Sequence, residues 1–385
     1  MIILVGASVR CLTQSAAQSG LKTLGIDFFG DLDCRGKVIS PRDDFGLSPT
    51  THNLLEIARS LDCQGLVYGA GPENHGPSLK HWEERCLLLG NGPGALAQAR
   101  DPYILRETLK QIGADMPTFH TPQKPPVPGN WLLKPLFQGG GHGIIKLPIR
   151  EAEAMRVLSR LDEPERYIVQ EYLNGIPGSV TFLADGLSAM LVGSSSQLTQ
   201  EASEHSPFRY LGNVVPLPPT YPAFWEDMAK IANHLTVTFG LKGLNTLDFI
   251  LTEDGAKVLE LNPRWSGSVE LIEACLGQSL FLAHLNACEG RLPDSAQWEK
   301  TAAARPPRFY GKKILYAQTS FTVKSYKEGW QALYNRGVRD IPKPGGDIQA
   351  GEPICTVLAQ GRSEKECKLL LEEKDALVRE FYIKE

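Results

Sequence analysis

Short apolar runs and longer mixed stretches alternate along the first hundred residues. The apolar runs stand at residues 2–5, 24–28, 66–68 and 87–89, and each has the length of a buried strand. The stretches between them have room for helices. This alternation predicts a parallel sheet that is covered on both faces.

The pattern changes after the first domain. Residues 103–112 place apolar side chains on one helical face, and Gly113 ends that helix. Five prolines in residues 116–130 exclude regular structure there and predict a connector into a new lobe. Beyond it the pattern predicts short strands with tight turns, including one over 190–196. It then predicts a helix over 222–239, a hairpin over 245–262 and a helical stretch near 268–288.

A second connector, rich in Pro and Arg, stands at residues 304–308, ahead of a segment that ends in a charged helix over 363–380. The two connectors predict three domains, over residues 1–115, 116–300 and 301–385. The expected fold class is α/β, with a Rossmann-like N-terminal sheet, α+β character in the central lobes and a small C-terminal domain.

Composition narrows the class of protein. The chain has 385 residues, 22% of them charged, and a formal net charge of −4, which excludes whole-chain disorder and gives no electrostatic case for nucleic acid. No apolar run approaches the ~18 residues of a membrane span, and the first residues are typical of a buried strand, not of a signal peptide. The eight cysteines form no C-x-x-C pair, so reduced thiols and a cytoplasmic location are expected.

A lysine followed by a glycine-rich turn forms the first candidate site. Lys134 ends a short apolar strand, and Gly139, Gly140, Gly141 and Gly143 follow it. Glycines let backbone N–H groups approach phosphate oxygens, and a lysine adds a point charge. In a P-loop the lysine comes after the glycines, whereas an apolar strand follows here. The order predicts a hairpin flap over a phosphate; the alternative is a flexible turn beside a solvated lysine.

The predicted hairpin carries the second candidate site. If residues 252–256 form its loop, Asp248 lies directly opposite Glu260, while Val258, Glu260 and Asn262 share one face. Opposed carboxylates repel each other, and a divalent cation between them removes the repulsion. Because two carboxylates and an amide offer oxygen ligands, Mg²⁺ or Mn²⁺ is expected and not Zn²⁺. The alternative is an exposed strand edge with scattered acids.

Arg264 follows two residues after Asn262, in the loop that leaves the hairpin. A guanidinium there is placed to neutralise a phosphoryl group in transfer. By itself, an Arg in a Pro- and Gly-rich loop is usually a surface charge. Its coincidence with Asp248, Glu260 and Asn262 favours a catalytic role for Arg264, together with Lys134.

In this order, the segments resemble the ATP-grasp superfamily, most specifically at the E-x-N-P-R run of residues 260–264. The resemblance implies an ATP-grasp fold with ATP and its Mg²⁺ (or Mn²⁺) between two lobes. Lys134 would contact the α- and β-phosphates and the glycine flap would close over them. The residues of the implied adenine hinge are Gln170, Glu171, Tyr172 and Leu173.

Within the superfamily, the chain resembles the predicted carboligases related to biotin carboxylase, a group close to the ligase of pyrrolysine biosynthesis. Two departures stand out. Where relatives carry an earlier phosphate-binding lysine, this chain has Arg100-Asp101-Pro102, so Arg100 or Arg106 would replace it. Where relatives carry an acidic ribose contact, this chain has Gly178 and Ser179, which leaves Ser179 as the candidate.

The resemblance and the loop positions also nominate substrate contacts. They lie after the first strand, after the third strand, in the polar run of residues 194–209, which we expect to be a long loop over the site, and beside Arg264. The candidates are Ser8, Arg10, Glu73, Arg209, Ser266 and Gly267. Arg209 is the candidate for binding a substrate carboxylate.

The expected activity is that of an ATP- and Mg²⁺-dependent ligase that joins a carboxylate to an amine through an acylphosphate. Expected partners are small-molecule carboxylate and amine substrates, amino-acid-like and of the kind used in small-cofactor biosynthesis, with no nucleic acid or membrane and with a homodimer as a further expectation. Three alternatives stay open: a bicarbonate-using carboxylase of the biotin-carboxylase type, simple phosphoryl transfer, and a non-catalytic ATP-binding scaffold.

Overall fold

The computed structural model describes residues 1–123, 129–199, 208–218, 221–303, 306–326 and 329–384. Its strands are β1 (Ile2–Val5), β2 (Thr23–Ile26), β3 (Val38–Ile39), β4 (Gly65–Tyr68), β5 (Phe119–His120), β6 (Trp131–Pro135), β7 (Ile145–Lys146), β8 (Tyr167–Glu171), β9 (Ile176–Asp185), β10 (Ala189–Thr199), β11 (Tyr210–Val215), β12 (Lys242–Thr252), β13 (Gly255–Asn262), β14 (Phe309–Tyr316), β15 (Phe321–Thr322), β16 (Val338–Arg339), β17 (Asp347–Ile348) and β18 (Pro353–Gly361). Its α-helices are α1 (Arg10–Gln18), α2 (Pro41–Phe45), α3 (Thr51–Arg59), α4 (Gly76–Glu83), α5 (Pro93–Ala99), α6 (Pro102–Lys110), α7 (Glu151–Leu158), α8 (Phe224–Phe239), α9 (Val269–Leu276), α10 (Phe281–Cys288), α11 (Ser295–Ala303), α12 (Trp330–Asn335) and α13 (Glu364–Lys384).

The N-terminal domain is a parallel sheet of order β3-β2-β1-β4, as the alternation predicted. The prediction of a further strand at residues 87–89 is wrong. There the chain forms a single isolated bridge, between Leu88 and Leu66, with two backbone hydrogen bonds around it. The loops after β1 and β4 open at the carboxyl end of the sheet, which is where open α/β sheets bind ligands.

A small antiparallel sheet, of order β5-β8-β6-β7, forms the next lobe. β6 and β7 pair as a hairpin around the glycine-rich turn. The prediction that residues 116–130 hold no regular structure is wrong at β5, because Phe119 and His120 lie between the prolines and pair with β8 at the sheet edge. Residues 124–128 of that connector lie outside the described residues.

The large lobe is one sheet of order β13-β12-β9-β10-β11-β14-β18-β16. Its last three strands come from the C-terminal segment, so that segment extends the sheet that carries the candidate metal ligands. α8 begins at Phe224, two residues after the predicted start, and it is capped after Phe239 by Gly240 in the left-handed conformation. Its buried face, with Met228 and Leu235, packs in one apolar cluster with Phe182 of β9 and Phe249 of β12. The mixed α/β fold class predicted from the sequence is confirmed.

The β12–β13 hairpin keeps the predicted opposition but not the predicted loop. Asp248 pairs with Glu260, whereas Phe249 pairs with Val258, so Leu259 is an extra residue in a bulge. The bulge shortens the loop to residues 253–254 and rotates Val258 into the apolar core, where it is fully buried. Val258 therefore does not share a face with Glu260, contrary to the prediction.

Two further predictions about elements are wrong in part. The helical stretch over 268–288 is two helices, α9 and α10, broken where Gly277 takes a positive φ of 68°. The polar run at 194–209 is not a loop throughout, because β10 continues to Thr199 and pairs on both sides. Residues 200–207 of that run, and residues 304–305 of the second connector, lie outside the described residues.

Among the helices that the structure describes, none is by itself long and apolar enough to cross a membrane. The pair α9 and α10, bent by 113° at its break, passes that test of length and composition only when the two are taken together.

Candidate active site

The three predicted metal ligands meet on one face of the β12–β13 hairpin. Asp248 and Glu260 are cross-strand partners, and Asn262 lies two residues further along β13. Asn262 Nδ2 donates to Asp248 Oδ2 at 2.9 Å and to Glu260 Oε1 at 3.3 Å. The amide nitrogen therefore lies at a point on which both carboxylates converge.

Lys134, on β6 of the small lobe, reaches this set from across the cleft. Its Nζ lies 2.9 Å from Glu260 Oε2, and both side chains are largely shielded from solvent. Burial raises the pKa of Glu260, but the charges of Lys134 and Arg100 outweigh burial and lower the pKa to about 2. The Glu260 carboxylate is therefore ionised at neutral pH and links the two lobes.

The pKa of Asp248 shifts in the opposite direction. Burial raises its pKa first, and the charge of Glu260 raises it further, while Arg264 and Lys134 lower it, so that the pKa stands at about 7. The two acids of one hairpin thus differ because Lys134 contacts Glu260 and not Asp248.

The donor set fits a hard divalent cation. Two carboxylates and an amide supply oxygen ligands. Turning the Asn262 amide about its Cβ–Cγ bond would bring Oδ1 to the point of convergence and would break the hydrogen bond that Arg264 Nη2 donates to Oδ1. A cation there would also remove the repulsion that raises the pKa of Asp248. Within the described ranges, no group of three or more His, Cys, Asp or Glu side chains is placed to hold a metal ion. The mixed set of Asp248, Glu260 and Asn262 is therefore the candidate.

Arg264 ties the N-terminal domain to this site. Its Nε donates to Glu73 Oε1 at 3.0 Å, and its Nη2 donates to Asn262 Oδ1 at 3.2 Å. Glu73 is 5% exposed and lies in the loop after β4. Glu73 thus orients the Arg264 guanidinium beside the metal set. Glu73 is not itself one of the candidate metal ligands.

Arg100 and Arg106 occupy different surroundings. Arg100 lines the cleft that Lys134 and Glu260 also line, and its Nη2 donates to Asn74 Oδ1 at 3.0 Å. The guanidinium of Arg106 lies 4.4 Å from the centre of the Phe119 ring. Of the two candidates for the missing phosphate-binding lysine, Arg100 is the one that the fold brings to the metal set.

Gln170 leads the predicted adenine hinge on β8. Its backbone pairs with Phe119 and Leu132 on the two sides. The side chain is 2% exposed, and its Nε2 has no hydrogen-bond partner among the described residues. An unmet buried donor costs on the order of 1–3 kcal/mol, which a ligand acceptor in the cleft would relieve.

The other hinge residues have partners within the protein. Glu171 Oε2 accepts the backbone N–H of Thr118 at 3.2 Å. The Tyr172 ring carries the Lys146 ammonium 4.1 Å from its centre. Leu173 follows the end of β8 and is half-buried.

The predicted flap glycines stand in the turn between β6 and β7; they are Gly139, Gly140, Gly141 and Gly143. This turn docks on the start of β11, because the Tyr210 N–H donates to Gly140 O at 3.0 Å. Gly141 has a φ of 71°, and a Cβ there would lie 1.8 Å from the Phe208 carbonyl oxygen. Only glycine allows this docked position.

Hydroxyl groups line the sheet beside the metal set. Ser179, the ribose candidate, pairs across the ladder with Asp248, and its Oγ lies 2.7 Å from Ser195 Oγ. The Thr246 hydroxyl donates to Ser266 Oγ at 2.8 Å. Ser179 of β9 is therefore engaged by the Ser195 hydroxyl, and Ser266, in the loop after β13, is engaged by the Thr246 hydroxyl.

Two of the remaining substrate candidates, Arg10 and Ser8, contact Asp340 of the C-terminal segment. Arg10 is 2% exposed and binds Glu270 and Asp340, with its Nη2 3.1 Å from Glu270 Oε1 and its Nε 3.0 Å from Asp340 Oδ1. Ser8 is exposed, and its Oγ lies 3.5 Å from Asp340 Oδ1. Arg10 therefore joins three parts of the chain.

Arg209 faces the C-terminal segment. Its Nη1 donates to Gly351 O at 3.2 Å, and its guanidinium lies 4.6 Å from the centre of the Tyr316 ring. Its proposed contact with a substrate carboxylate stays a prediction.

The sequence reasoning missed Glu270 and Asp340, which bind Arg10, and Lys312, which binds Glu270. Lys312 Nζ donates to Glu270 Oε1 at 3.0 Å, and Lys312 is 6% exposed. β14 carries Lys312 and Lys313 side by side, so no signal in the sequence distinguished Lys312 from its neighbour. Asp340 carried no such signal, since its role depends on a contact across 330 residues.

Comparison with known proteins gives a family model for an ATP-grasp domain, which matches residues 99–268. An uncharacterized protein of Methanocaldococcus jannaschii is 24% identical over 375 residues, which cover 93% of this chain and 88% of that protein. The carbamoyl phosphate synthase large chain of Pseudomonas syringae pv. tomato is 22% identical over 279 residues, covering 69% of this chain. The match takes in only 25% of that large chain.

Two solved structures illustrate the likeness in fold. The L-amino acid ligase from Bacillus licheniformis superposes with a TM-score of 0.71 at 16% identity, covering 97% of this chain and 96% of that one. The biotin carboxylase domain of the Hydrogenobacter thermophilus 2-oxoglutarate carboxylase, in complex with MgADP, ADP and bicarbonate, gives 0.71 at 15% identity, covering 93% and 85%. At such identities the likeness shows the fold.

Proposed function

Because residues 99–268 form an ATP-grasp domain, we propose that the protein is an ATP- and Mg²⁺-dependent ligase that joins a carboxylate to an amine. One observation carries the proposal. Asp248, Glu260 and Asn262 converge on one point of the hairpin, where Lys134 contacts Glu260 and Arg264 contacts Asn262. Carboxylates that hold a cation, together with cationic side chains that face it, match the needs of phosphoryl transfer.

Each residue then has a task in the first step. Asp248, Glu260 and Asn262 would hold a divalent cation, which would supply positive charge to offset the phosphate charges of ATP. A carboxylate oxygen of the substrate attacks the γ-phosphorus, the bond to the bridging oxygen breaks, and ADP leaves. Lys134 and Arg264 offset the charge that develops in this transfer.

The second step needs no protein nucleophile. The amine nitrogen attacks the carbonyl carbon of the acylphosphate, phosphate leaves with the electron pair of the C–O bond, and the nitrogen loses a proton. The flap at Gly139–Gly143 would exclude water, which otherwise hydrolyses the acylphosphate. Catalysis therefore rests on positioning and electrostatics.

The likeness in fold to an L-amino acid ligase supports the ligase reaction, and it supports amino acids as a first substrate panel. The likeness to a biotin carboxylase domain that binds bicarbonate supports one second candidate, a bicarbonate-dependent carboxylase. Both reactions share the ATP-site residues and differ in the second substrate.

The test is a screen for ADP release with amino acids and amines paired with carboxylates, followed by the mass of the product. We expect ADP to form only when a carboxylate and an amine are both present. Bicarbonate-dependent ADP release without an amine would favour the carboxylase. A stable phosphorylated product would favour simple phosphoryl transfer, and ATP binding without ADP release across the panel would favour a scaffold.

Two variants test the residues. E260Q and R264M are expected to lower kcat by at least about a hundredfold, because each removes a charge that faces the transferring group. E253Q, at the exposed tip of the same hairpin, is the matched control and should keep full activity. Full activity in E260Q or R264M would rule out this site.

A further inference from the structure

The N-terminal domain holds the peptide unit from which Arg264 extends. Asn91, two residues before α5, lies at the contact between this domain and the large lobe, where its Nδ2 donates to Pro263 O at 3.0 Å. The Tyr68 hydroxyl, at the end of β4, lies 3.3 Å from the same carbonyl oxygen. Because Pro263 immediately precedes Arg264, Asn91 and Tyr68 hold the backbone at which the arginine begins.

The same amide also holds the start of β12. Asn91 Oδ1 accepts the Lys242 N–H at 2.8 Å, and Asn91 Nδ2 lies 2.8 Å from Asn245 Oδ1. The Tyr68 hydroxyl donates to Asn91 O at 2.6 Å and so holds the Asn91 backbone itself. Asn91, Asn245 and Tyr68 are each at most 2% exposed. Buried polar groups that satisfy one another fix a single geometry, so Asn91 sets the place of the Pro263 carbonyl relative to β12.

The side chain of Arg264 is held by the same domain. Glu73 Oε1 accepts the Arg264 Nε–H at 3.0 Å, and Glu73 Oε2 accepts the Gly71 N–H. The side chains of Glu73 and Arg264 are 4% and 13% exposed. The arginine is therefore anchored at both ends, by Asn91 and Tyr68 at its backbone and by Glu73 at its guanidinium.

These anchors do not depend on the metal ligands. The hydrogen bond from Arg264 Nη2 to Asn262 Oδ1 would be lost if the Asn262 amide turned its oxygen towards a cation. The Pro263 carbonyl and the Glu73 carboxylate do not belong to the metal set, so their contacts would remain. A group that stabilises a transition state has to be held within about 0.5 Å of its productive position. The N-terminal domain supplies anchors that can hold Arg264 in this way while a cation is bound.

We propose that Asn91 is a positioning residue for the ligase reaction, which holds the Pro263 carbonyl and so places the Arg264 guanidinium beside the metal set. This inference rests on the proposed function and adds a residue of the N-terminal domain to it. In this role Asn91 contacts no reacting atom and acts through Arg264. An amide suits the task, because it donates to a carbonyl oxygen and accepts a backbone N–H at the same time.

The test compares N91A with N233A. Asn233 is the matched control, because its amide also accepts a backbone N–H, from Ala189, and donates to a carbonyl oxygen, Ala229 O, but it joins α8 to β10. We expect N91A to lower kcat for ADP release about ten- to hundredfold, since a misplaced guanidinium no longer faces the transferring group. The KM for ATP should stay within about threefold. N233A should keep kcat within about threefold, whatever its effect on stability.

A double-mutant cycle separates positioning from a general structural role. If Asn91 acts through Arg264, N91A should lower kcat by less than about threefold when it is added to R264M. A structural role would lower kcat by the same factor in both backgrounds. Equal factors in wild type and in R264M would therefore overturn the inference.

A spectroscopic measurement needs no turnover and separates this inference from the proposed function. In protein with ¹⁵N-labelled arginine, the Nε–H resonance of Arg264 is the one that is absent from R264M. Because this N–H donates to the buried Glu73 carboxylate, it should exchange slowly with solvent in wild type. N91A should speed this exchange about tenfold or more, and N233A should leave it unchanged.

The outcomes for the two ideas are distinct. If N91A has the kcat of wild type, or if its Arg264 N–H exchanges as slowly, the inference is wrong. If N91A does not fold, by circular dichroism and its unfolding midpoint, Y68F decides in its place, because it removes only the hydroxyl that contacts the Asn91 and Pro263 carbonyls. Absence of ADP release from wild type, with an Arg264 resonance that depends on Asn91, would overturn the ligase and keep Asn91 as the residue that positions Arg264.

Discussion

The pKa values of Asp248 and Glu260, which are cross-strand partners in one hairpin, are shifted in opposite directions. Burial raises the pKa of Asp248, and Glu260 raises it further, to about 7. The pKa of Glu260 falls to about 2, because Lys134 and Arg100 outweigh its burial. The Lys134 ammonium of the small lobe therefore lowers the pKa of a carboxylate that the large sheet carries.

Replacing Arg100 tests whether its charge lowers the pKa of Glu260. R100M removes a charge that faces Glu260 and the cleft. We expect kcat/KM for ATP to fall about ten- to hundredfold, as for the loss of a charged hydrogen bond to phosphate. R106M is the comparison, since the Arg106 guanidinium packs on the Phe119 ring instead. A larger loss in R106M than in R100M, by steady-state kinetics, would reverse the assignment.

Glu273 gives a stability that depends on pH. Burial raises its pKa from 4.5 to about 7, and hydrogen bonds from Ser15 and the Leu280 N–H lower it only in part. Between these values the folded state holds a proton that the unfolded chain has lost. The free energy of unfolding therefore falls as pH rises through this window, by up to about 3 kcal/mol.

E273Q removes this titration. Its free energy of unfolding, relative to wild type, should rise between pH 4.5 and pH 8 in urea denaturation. A difference between the two proteins that is the same at both pH values would contradict the pKa shift of Glu273.

Side chains that face each other within one hairpin could be predicted from the sequence. The opposition of Asp248 and Glu260 followed from strand alternation, because their separation is short and the turn constrains the register. Lys312 and Asp340 could not be found in this way. Their neighbours Glu270 and Arg10 lie 42 and 330 residues away, and local periodicity carries no information on such contacts.

At the scale of elements, the bulge at Leu259 shows how the right pairing arose from a wrong loop. A five-residue loop and a two-residue loop with one bulged residue give the same register at Asp248. They differ at Val258, which the bulge turns into the core. The face of a strand beyond a bulge is set by tertiary packing, so the sequence pattern alone could not assign it.

The flap makes a prediction about a single element. G141A should raise the KM for ATP about tenfold or more, because a Cβ would lie 1.8 Å from the Phe208 carbonyl oxygen and would strain a φ of 71°. G139A is the matched control, since a Cβ at Gly139 meets no heavy atom within 4 Å. Steady-state kinetics checks both variants. Equal effects at the two glycines would mean that flap flexibility, and not its docking on β11, governs ATP binding.

At the scale of the whole molecule, one guanidinium joins three parts of the chain. Arg10 begins α1 of the N-terminal domain, Glu270 begins the first turn of α9, and Asp340 lies in the C-terminal segment. The Arg10 side chain is 3% exposed. Removing one partner from a buried ion pair leaves the others uncompensated.

R10M should therefore lower the free energy of unfolding by about 3–5 kcal/mol. R59M is the control, because Arg59 pairs with Glu56 at the surface, where both side chains are more than 40% exposed. Its loss should stay below about 1 kcal/mol. Urea denaturation of the full chain checks both variants, and equal midpoints for R10M and wild type would show that the cluster does not hold the three parts together.

The contact between Arg10 and Asp340 has a consequence for how the protein is made. A ribosome that adds about 5–20 residues per second needs on the order of a minute or less to span the 330 residues between them. Throughout that interval, Arg10 at the start of α1 lacks its partner Asp340. The large sheet lacks β14, β18 and β16 for as long as those strands have not been made. A nascent chain therefore cannot complete the ion pairs of Arg10, or the large sheet beyond β11, until Asp340 and the strands around it have been made.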